Sequence, residues 1–173
     1  MMRCLKFSII LILIISLQSC GYSISNNKSL AIDSVKIGKI VNMTSEPRLQ
    51  DMLNTALVNE FQRRGLTVSD SSENVLEGEI TNYQLKLLSE KKKSAFEYQA
   101  SVTGDFRLID GQKRDQNGGQ NVKELKGITS PNIDYFIARD GLNTIIATKQ
   151  QADMRAIEGI ALLIVTQLSI IHQ

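Results

Sequence analysis

The chain has few of the side chains that most enzymes use for catalysis. Its 173 residues include one histidine, His172, and two cysteines, Cys4 and Cys20. His172 is the penultimate residue, and a chain terminus is a poor place for a general base. No side chains show metal-ligand spacing, and Gly118-Gly119 lacks the Lys-Ser/Thr that completes a phosphate-binding loop. We therefore expect no enzyme, no metal and no other cofactor.

The sequence also lacks an excess of charge. It has 20 Lys and Arg against 18 Asp and Glu, and no tryptophan. Arg3 and Lys6 supply the two excess positive charges, and both precede an apolar run near the start of the chain. From residue 20 onward the chain is neutral, which gives no electrostatic reason to expect nucleic-acid binding. The content of 42% hydrophobic and 22% charged residues is typical of one globular domain.

The apolar run near the start is short. It covers residues 7–17 and follows two positive charges, which is typical of a signal peptide. An uncleaved membrane anchor is the alternative, but a spanning helix needs about 20 apolar residues.

The end of this run carries a cysteine in a distinctive setting. The stretch "LQSC", residues 17–20, has a leucine three positions before Cys20 and a small residue directly before it. This pattern resembles the bacterial lipobox. The resemblance implies that the thiol receives a diacylglycerol, that the chain is cut before Cys20, and that the new amine is acylated. Gly21 follows, not Asp, and in such signals this implies export to the outer membrane.

The rest of the sequence predicts a single domain behind a tether. We assign residues 1–19 to a lipoprotein signal peptide, residues 20–33 to a lipidated tether, and residues 34–173 to the domain. The tether is polar and rich in Ser and Asn, which is typical of a linker.

The first half of the domain predicts a strand and then a helix. A short strand contains Val35, Ile37 and Val41. The helix has one apolar face, formed by Leu49, Met52, Leu53, Ala56, Leu57 and Phe61. Thr44 or Ser45 is expected to cap it, and Gly65 to end it.

The second half predicts a long hairpin, a weaker strand and a final helix. The segment "VLEGEITNYQLKLL" alternates with a phase slip near Asn82, which indicates a bulge, and residues 96–108 alternate without a break. The stretch "SPNIDYFIARDGLN" has no clear period. A broad apolar stripe then predicts a helix from about Thr148 to Ile171.

The order β-α-β-β-β-α predicts an α+β fold, a two-layer sandwich. A strand–helix–strand start favours a right-handed crossover, and hairpins continue the sheet antiparallel. We expect two helices packed on one face of a mixed four-stranded sheet.

Several stretches together resemble the LPS-assembly lipoprotein family, LptE. They are the lipobox with "CGY", the helix "TSEPRLQDMLNTALVNEFQRRG", the strand "FEYQASVTGDFRLID" and the ending "SPNIDYFIARDGLNTIIATKQQADMRAIEGIALLIVTQL". The ending is similar to the alphaproteobacterial branch through Ser130, Asn132, Tyr135-Phe136, Ala147 and Ala152. Pro131 departs from that branch, which often has tyrosine there.

The resemblance implies an α/β sandwich without enzymatic activity on the periplasmic face of the outer membrane. Such proteins plug and help assemble the β-barrel LptD, and they contact lipopolysaccharide during its delivery to the surface. The positions that match the family's basic contact residues are Lys91, Lys92, Lys93, Lys149 and Arg139. The lysine run also suits a solvated hairpin tip that blunts edge pairing.

Two other functions stay open at this point. One is a periplasm-facing lipoprotein adaptor of another envelope secretion or transport complex, because fold does not fix function. The other is a small periplasmic hydrolase, which the scarcity of His, Cys and metal ligands disfavours.

Overall fold

The computed structural model describes residues 32–91, 95–114, 120–138 and 142–171. Within these residues lie six strands and two helices. In chain order they are β1 (Ser34–Asn42), α1 (Leu49–Arg63), β2 (Thr67–Val68), β3 (Val75–Lys91), β4 (Ala95–Arg114), β5 (Gln120–Thr129), β6 (Ile133–Ala138) and α2 (Leu142–Ile171).

The strands form one mixed sheet in the order β2-β1-β3-β4-β5, with β6 also paired to β4. β1 is parallel to both β2 and β3, and the remaining pairs are antiparallel. Because β3 occupies one edge of β4, β5 and β6 share the other edge. β6 pairs with Ala95–Ala100, and β5 pairs with the part of β4 that begins at Thr103.

The predicted α+β class with two helices is confirmed, but the prediction of four strands is wrong. The described sheet has six. β2 is only two residues long, too short to produce a pattern. The sequence does not reveal β6, because the apolar Phe136 directly follows the buried Tyr135 and interrupts the alternation of apolar and polar residues.

One hydrophobic core joins both helices to the sheet. Its largest fully buried side chains come from α1, α2, β1, β3 and β4: Phe61, Leu49, Leu53, Leu57, Leu76, Ile80, Leu108, Ile157, Ile160, Ile164, Leu168 and Val35. Burying each such side chain contributes about 1.5–3 kcal/mol. The apolar stripes of the two helices therefore face the same layer, as their spacing predicts.

Two local predictions are confirmed. The register of β3 against β4 shifts between Ile80 and Asn82, where the phase slip predicts a bulge. Gly65, just beyond α1, has φ of 78°, the left-handed conformation that glycine adopts without steric cost.

The ends of the helices differ from the predictions. α1 begins after Arg48, which has φ of 67°, and no side chain caps it. Thr44 caps a turn in the preceding loop instead, where its hydroxyl accepts a hydrogen bond from the backbone N–H of Glu46 at 3.2 Å. α2 begins at Leu142, six residues before the predicted Thr148. The first turns of α2 have an incomplete apolar stripe, so the sequence periodicity indicates a helix only from about Thr148.

Asn42 organises the loop between β1 and α1. Its side-chain oxygen accepts hydrogen bonds from the backbone N–H of Thr44 at 3.0 Å and from the Thr44 hydroxyl at 2.8 Å. Its amide nitrogen donates to the carbonyl oxygen of Glu46 at 2.7 Å. These bonds fix the backbone at Glu46, and so determine where the Glu46 carboxylate can reach.

Candidate functional site

The structure describes two of the predicted contact residues at least in part. Lys91 is the last residue of β3 and pairs with Ala95 across the hairpin. Lys149 lies on α2. Lys92, Lys93 and Arg139 lie outside the described residues, as does Cys20, the predicted lipidation site.

Lys149 is the centre of a charged cluster. Its ammonium nitrogen, Nζ, donates hydrogen bonds to Glu46 Oε1 at 2.7 Å and to Asp153 Oδ2 at 3.0 Å. The same nitrogen lies 5.2 Å from the centre of the Tyr83 ring, within range of a cation–π interaction. The Tyr83 hydroxyl donates to the other carboxylate oxygen of Asp153 at 2.7 Å.

Three separate parts of the fold supply this cluster. The loop fixed by Asn42 provides Glu46, β3 provides Tyr83, and α2 provides Lys149 and Asp153 four residues apart on one helix face. The cluster therefore fastens the N-terminal half of α2 to the sheet and to the β1–α1 loop.

Burial and pairing determine the protonation states in the cluster. Burial raises the pKa of Tyr83, and its hydrogen bond to Asp153 raises it further, so this phenol stays protonated. Burial opposes the charge of Lys149, but its hydrogen bonds to Glu46 and Asp153 outweigh that effect and leave its pKa raised. Lys149 is therefore a charged cation held by two carboxylates.

Tyr135 borders the same region. Burial raises its pKa, and the charge of Asp153 adds to the effect. Its ring stacks on that of Tyr98, with the ring centres 5.6 Å apart. Its hydroxyl oxygen is buried and has no hydrogen-bond partner within the part of the chain that the structure describes. The two stacked rings therefore link β4 to β6.

The open face of the sheet carries a shallow groove of about 490 Å³. Arg107 binds Glu77 through two nitrogens at 2.7 and 3.1 Å, and Lys126 binds Glu124 at 2.7 Å. The groove is thus lined by charges of both signs, among them these two ion pairs.

Two structural observations concern metals and membranes. Over residues 32–91, 95–114, 120–138 and 142–171, no group of three or more His, Cys, Asp or Glu could hold a metal ion. Over the same ranges, no helix has both the length and the apolar character needed to cross a membrane.

Sequence reasoning missed the partners of Lys149. The spacing of Lys149 and Asp153 on a predicted helix was the one available signal, since residues four apart share a face. Glu46 lies in the loop before α1, and its carboxylate binds Lys149. Nothing in the sequence shows that the β1–α1 loop lies next to α2.

The fold and these surfaces define a two-layer α+β domain held together by a hydrophobic core and by polar contacts that include the Lys149 cluster. Residues 32–168 match the model of the family LptE: Lipopolysaccharide-assembly. This match covers well over half of the chain, so the chain belongs to the LptE lipopolysaccharide-assembly family. The family is not enzymatic, and the resemblance inferred from the sequence is confirmed.

Several solved structures are similar to the chain. A minor lipoprotein from Acinetobacter baumannii is 17% identical, with 82% of this chain and 93% of that chain covered and a TM-score of 0.49. Lipoprotein B from Nitrosomonas europaea is 13% identical, with 82% and 85% covered and a TM-score of 0.47. Rare lipoprotein B from Shewanella oneidensis is 12% identical, with 79% and 96% covered and a TM-score of 0.35. No curated protein matches the chain.

Proposed function

We propose that this chain is an outer-membrane lipoprotein that binds and helps assemble an LptD-type β-barrel and assists lipopolysaccharide delivery to the cell surface. The observation that carries the proposal is the family match, which runs from residue 32, just before β1, to residue 168, near the end of α2. The match therefore spans all six strands of the described residues, α1 and nearly all of α2.

The membrane anchor in this proposal is Cys20. Removal of residues 1–19 makes Cys20 the first residue, and acyl chains on its sulfur and its amine enter the outer membrane. Each buried CH₂ group contributes about 0.8 kcal/mol, so several chains hold the protein firmly where one would not. Residues 20–33 then connect the anchor to β1 on the periplasmic side.

Lipopolysaccharide contact is assigned first to Lys91, Lys92 and Lys93. Ammonium groups suit this role because they act as point charges toward phosphate. The strand register supports adding Arg139. Ala95 pairs with both Lys91 and Ala138, so β3 and β6 end at the same end of the sheet, and Lys92 and Arg139 are the next residues in the sequence.

Lys149 is the weaker member of the predicted contact set. Two of the three protons on its ammonium group are directed at Glu46 and Asp153, and its side chain is only 30% exposed. Only the third proton is left for a phosphate, and the two carboxylates beside it repel an anion. The proposal therefore places phosphate contact chiefly at the hairpin tip.

Affinity purification tests the barrel interaction. The tagged full-length chain is expressed in its own host and extracted from the outer membrane in mild detergent. We expect one large β-barrel of the LptD type to co-purify at near-equal stoichiometry. Absence of any such barrel contradicts the proposal.

Charge reversal tests the lipopolysaccharide contact. Changing Lys91, Lys92 and Lys93 together to Glu is expected to weaken binding to purified lipopolysaccharide at least tenfold without changing the circular dichroism spectrum. The matched control reverses three lysines elsewhere, Lys36, Lys39 and Lys126, and should bind nearly as well as the parent. An equal loss of lipopolysaccharide binding in both variants would mean that only the overall charge matters. Unchanged binding in both would mean that the lysine run is only a solvated hairpin tip.

A further inference from the structure

The outer edge of β3 is only partly covered. β1 pairs with its first part, and the last registered pair joins Asn42 to Ile80. Beyond that point, over Asn82–Leu87, no strand in the described ranges pairs with this edge, while β4 pairs along the opposite edge. This segment lies between two irregularities in the β3–β4 register, at Ile80/Asn82 and at Leu87/Ser89.

Exposed apolar side chains are concentrated along this free edge. Leu85, Leu87 and Leu88 are 41%, 50% and 39% exposed. Met43 is 65% exposed, and its backbone N–H donates to the carbonyl oxygen of Ile80 at 2.9 Å, so it lies where β1 ends and the free edge begins. Proteins normally blunt a free edge against pairing, and an exposed apolar edge is a place where another strand adds.

The edge of β5 provides a contrast within the same sheet. It presents the charged Glu124 and Lys126, and Gly127 with φ of 64° interrupts its strand geometry. Its one large exposed apolar side chain within the described residues is Val122, at 42%. β5 thus presents several charged side chains, whereas Asn82–Leu87 carries one charged residue, Lys86, beside two exposed leucines.

The side chains on the two faces of the sheet beside the free edge indicate what kind of segment fits it. Leu85 is opposite the buried Ala100, and Leu87 is opposite Tyr98, so both leucines lie on the face of the sheet that the helices cover. Lys86 lies on the other face, because side chains alternate along a strand. An extended strand is the partner that can bind the backbone N–H and C=O groups along the whole of this edge.

We propose that an extended segment of the barrel partner adds to β3 along Asn82–Leu87 as a further strand. This inference rests on the proposed function. Such a segment is about six residues long, with apolar side chains toward the helical layer and an acidic side chain opposite Lys86. The added strand buries Leu85 and Leu87 and continues the sheet beyond the end of β1.

Hydrogen exchange tests the strand addition directly. Exchange is measured by mass spectrometry on the free chain and on its complex with the co-expressed barrel. In the complex, peptides covering Asn82–Leu87 should exchange at least tenfold more slowly, because the added strand binds their free amides. Peptides covering Gln120–Leu125 on the β5 edge should be unchanged. Unchanged exchange at Asn82–Leu87 in a stable complex overturns the inference.

A pair of variants with matched exposure gives a second test. Leu85→Lys places a charge on the free edge, and Val122→Lys places one on the β5 edge at nearly the same exposure. We expect the Leu85 variant to recover at least tenfold less barrel, and the Val122 variant to recover as much as wild type. Equal recovery by both overturns the inference. Circular dichroism establishes that each variant is folded.

These outcomes also distinguish the two proposals. If wild type recovers no barrel, the proposed function fails. If wild type recovers the barrel but the edge variant and the exchange rates do not respond, only the strand addition fails. Slow exchange of the edge already in the free chain also overturns the inference, because residues 20–31 or a second copy would then occupy it. Sedimentation of the free chain separates these two cases.

Discussion

Replacing Lys149 with Met tests the charged cluster with a calculable effect. The change removes the cation but keeps most of the side-chain volume, and leaves Glu46 and Asp153 facing one another. An exposed ion pair is worth about 0–1 kcal/mol, whereas breaking a buried one costs about 3–5 kcal/mol. Asp153 is 7% exposed, Glu46 23% and Lys149 30%, so the site lies between these limits. We expect a loss of about 2 kcal/mol.

The assay is unfolding by urea and by heat, followed by circular dichroism, in a soluble form that lacks residues 1–20. In the thermal melt, a loss of about 2 kcal/mol corresponds to a fall of about 4–8 °C in Tm for a domain of this size. Lys39→Met is the matched control, because Lys39 is an exposed lysine on β1. Its effect should stay within about 0.5 kcal/mol.

A compensating variant completes this test. Adding Glu46→Gln and Asp153→Asn to Lys149→Met removes the facing charges, and should restore at least half of the lost stability, because the residual cost arises from unpaired carboxylates. A Lys149→Met protein as stable as its parent would refute the account of the cluster as a structural clamp.

Three further predictions concern pH, packing and the anchor. Because the pKa of Tyr83 is raised on folding, the unfolded chain loses this proton first as pH rises above 10, and folding stability should fall by up to about 1 kcal/mol by pH 11, after allowance for solvent screening. Tyr83→Phe should remove that part of the alkaline loss in urea melts, whereas Tyr98→Phe should keep it. Gly78→Val should lower the free energy of unfolding by at least about 2 kcal/mol, because a Cβ there lies 2.5 Å from the Asp105 carbonyl oxygen; a melt unchanged by this substitution would show that the close approach is relieved easily. Cys20→Ala should leave the chain uncleaved or soluble when cell fractions are compared, and normal processing with membrane attachment would contradict lipidation.

The parts of the fold with strong periodicity could be predicted from the sequence. The apolar spacing of α1 and the alternation of β4 define their buried faces, and the phase slip near Asn82 identifies the bulge in β3. These signals are local, so they need no knowledge of which elements are neighbours.

The missed elements depend on tertiary contacts. β2 consists of two residues and exists because the chain after α1 lies beside β1. β6 is defined by its pairing with β4, since Phe136 obscures its alternation. Neither strand has a sequence pattern long enough to be recognised alone.

The candidate functional residues could also be predicted only in part from the sequence. A lysine run and a lysine on a helix are visible as positive charges, but their surroundings are not. The structure gives Lys149 two carboxylate partners from separate elements, and the register brings the ends of β3 and β6 together at the hairpin. The free edge of β3 could not be predicted from the sequence, because it depends on where the pairing with β1 ends.

Depletion of the protein in its own host is the most direct test of the central claim. Surface lipopolysaccharide is quantified by labelling intact cells as the protein disappears. The account predicts loss of surface lipopolysaccharide together with loss of assembled barrel, before any general secretion defect. Normal surface lipopolysaccharide accompanied by a specific secretion or transport defect would contradict it, and would favour an adaptor of another envelope complex.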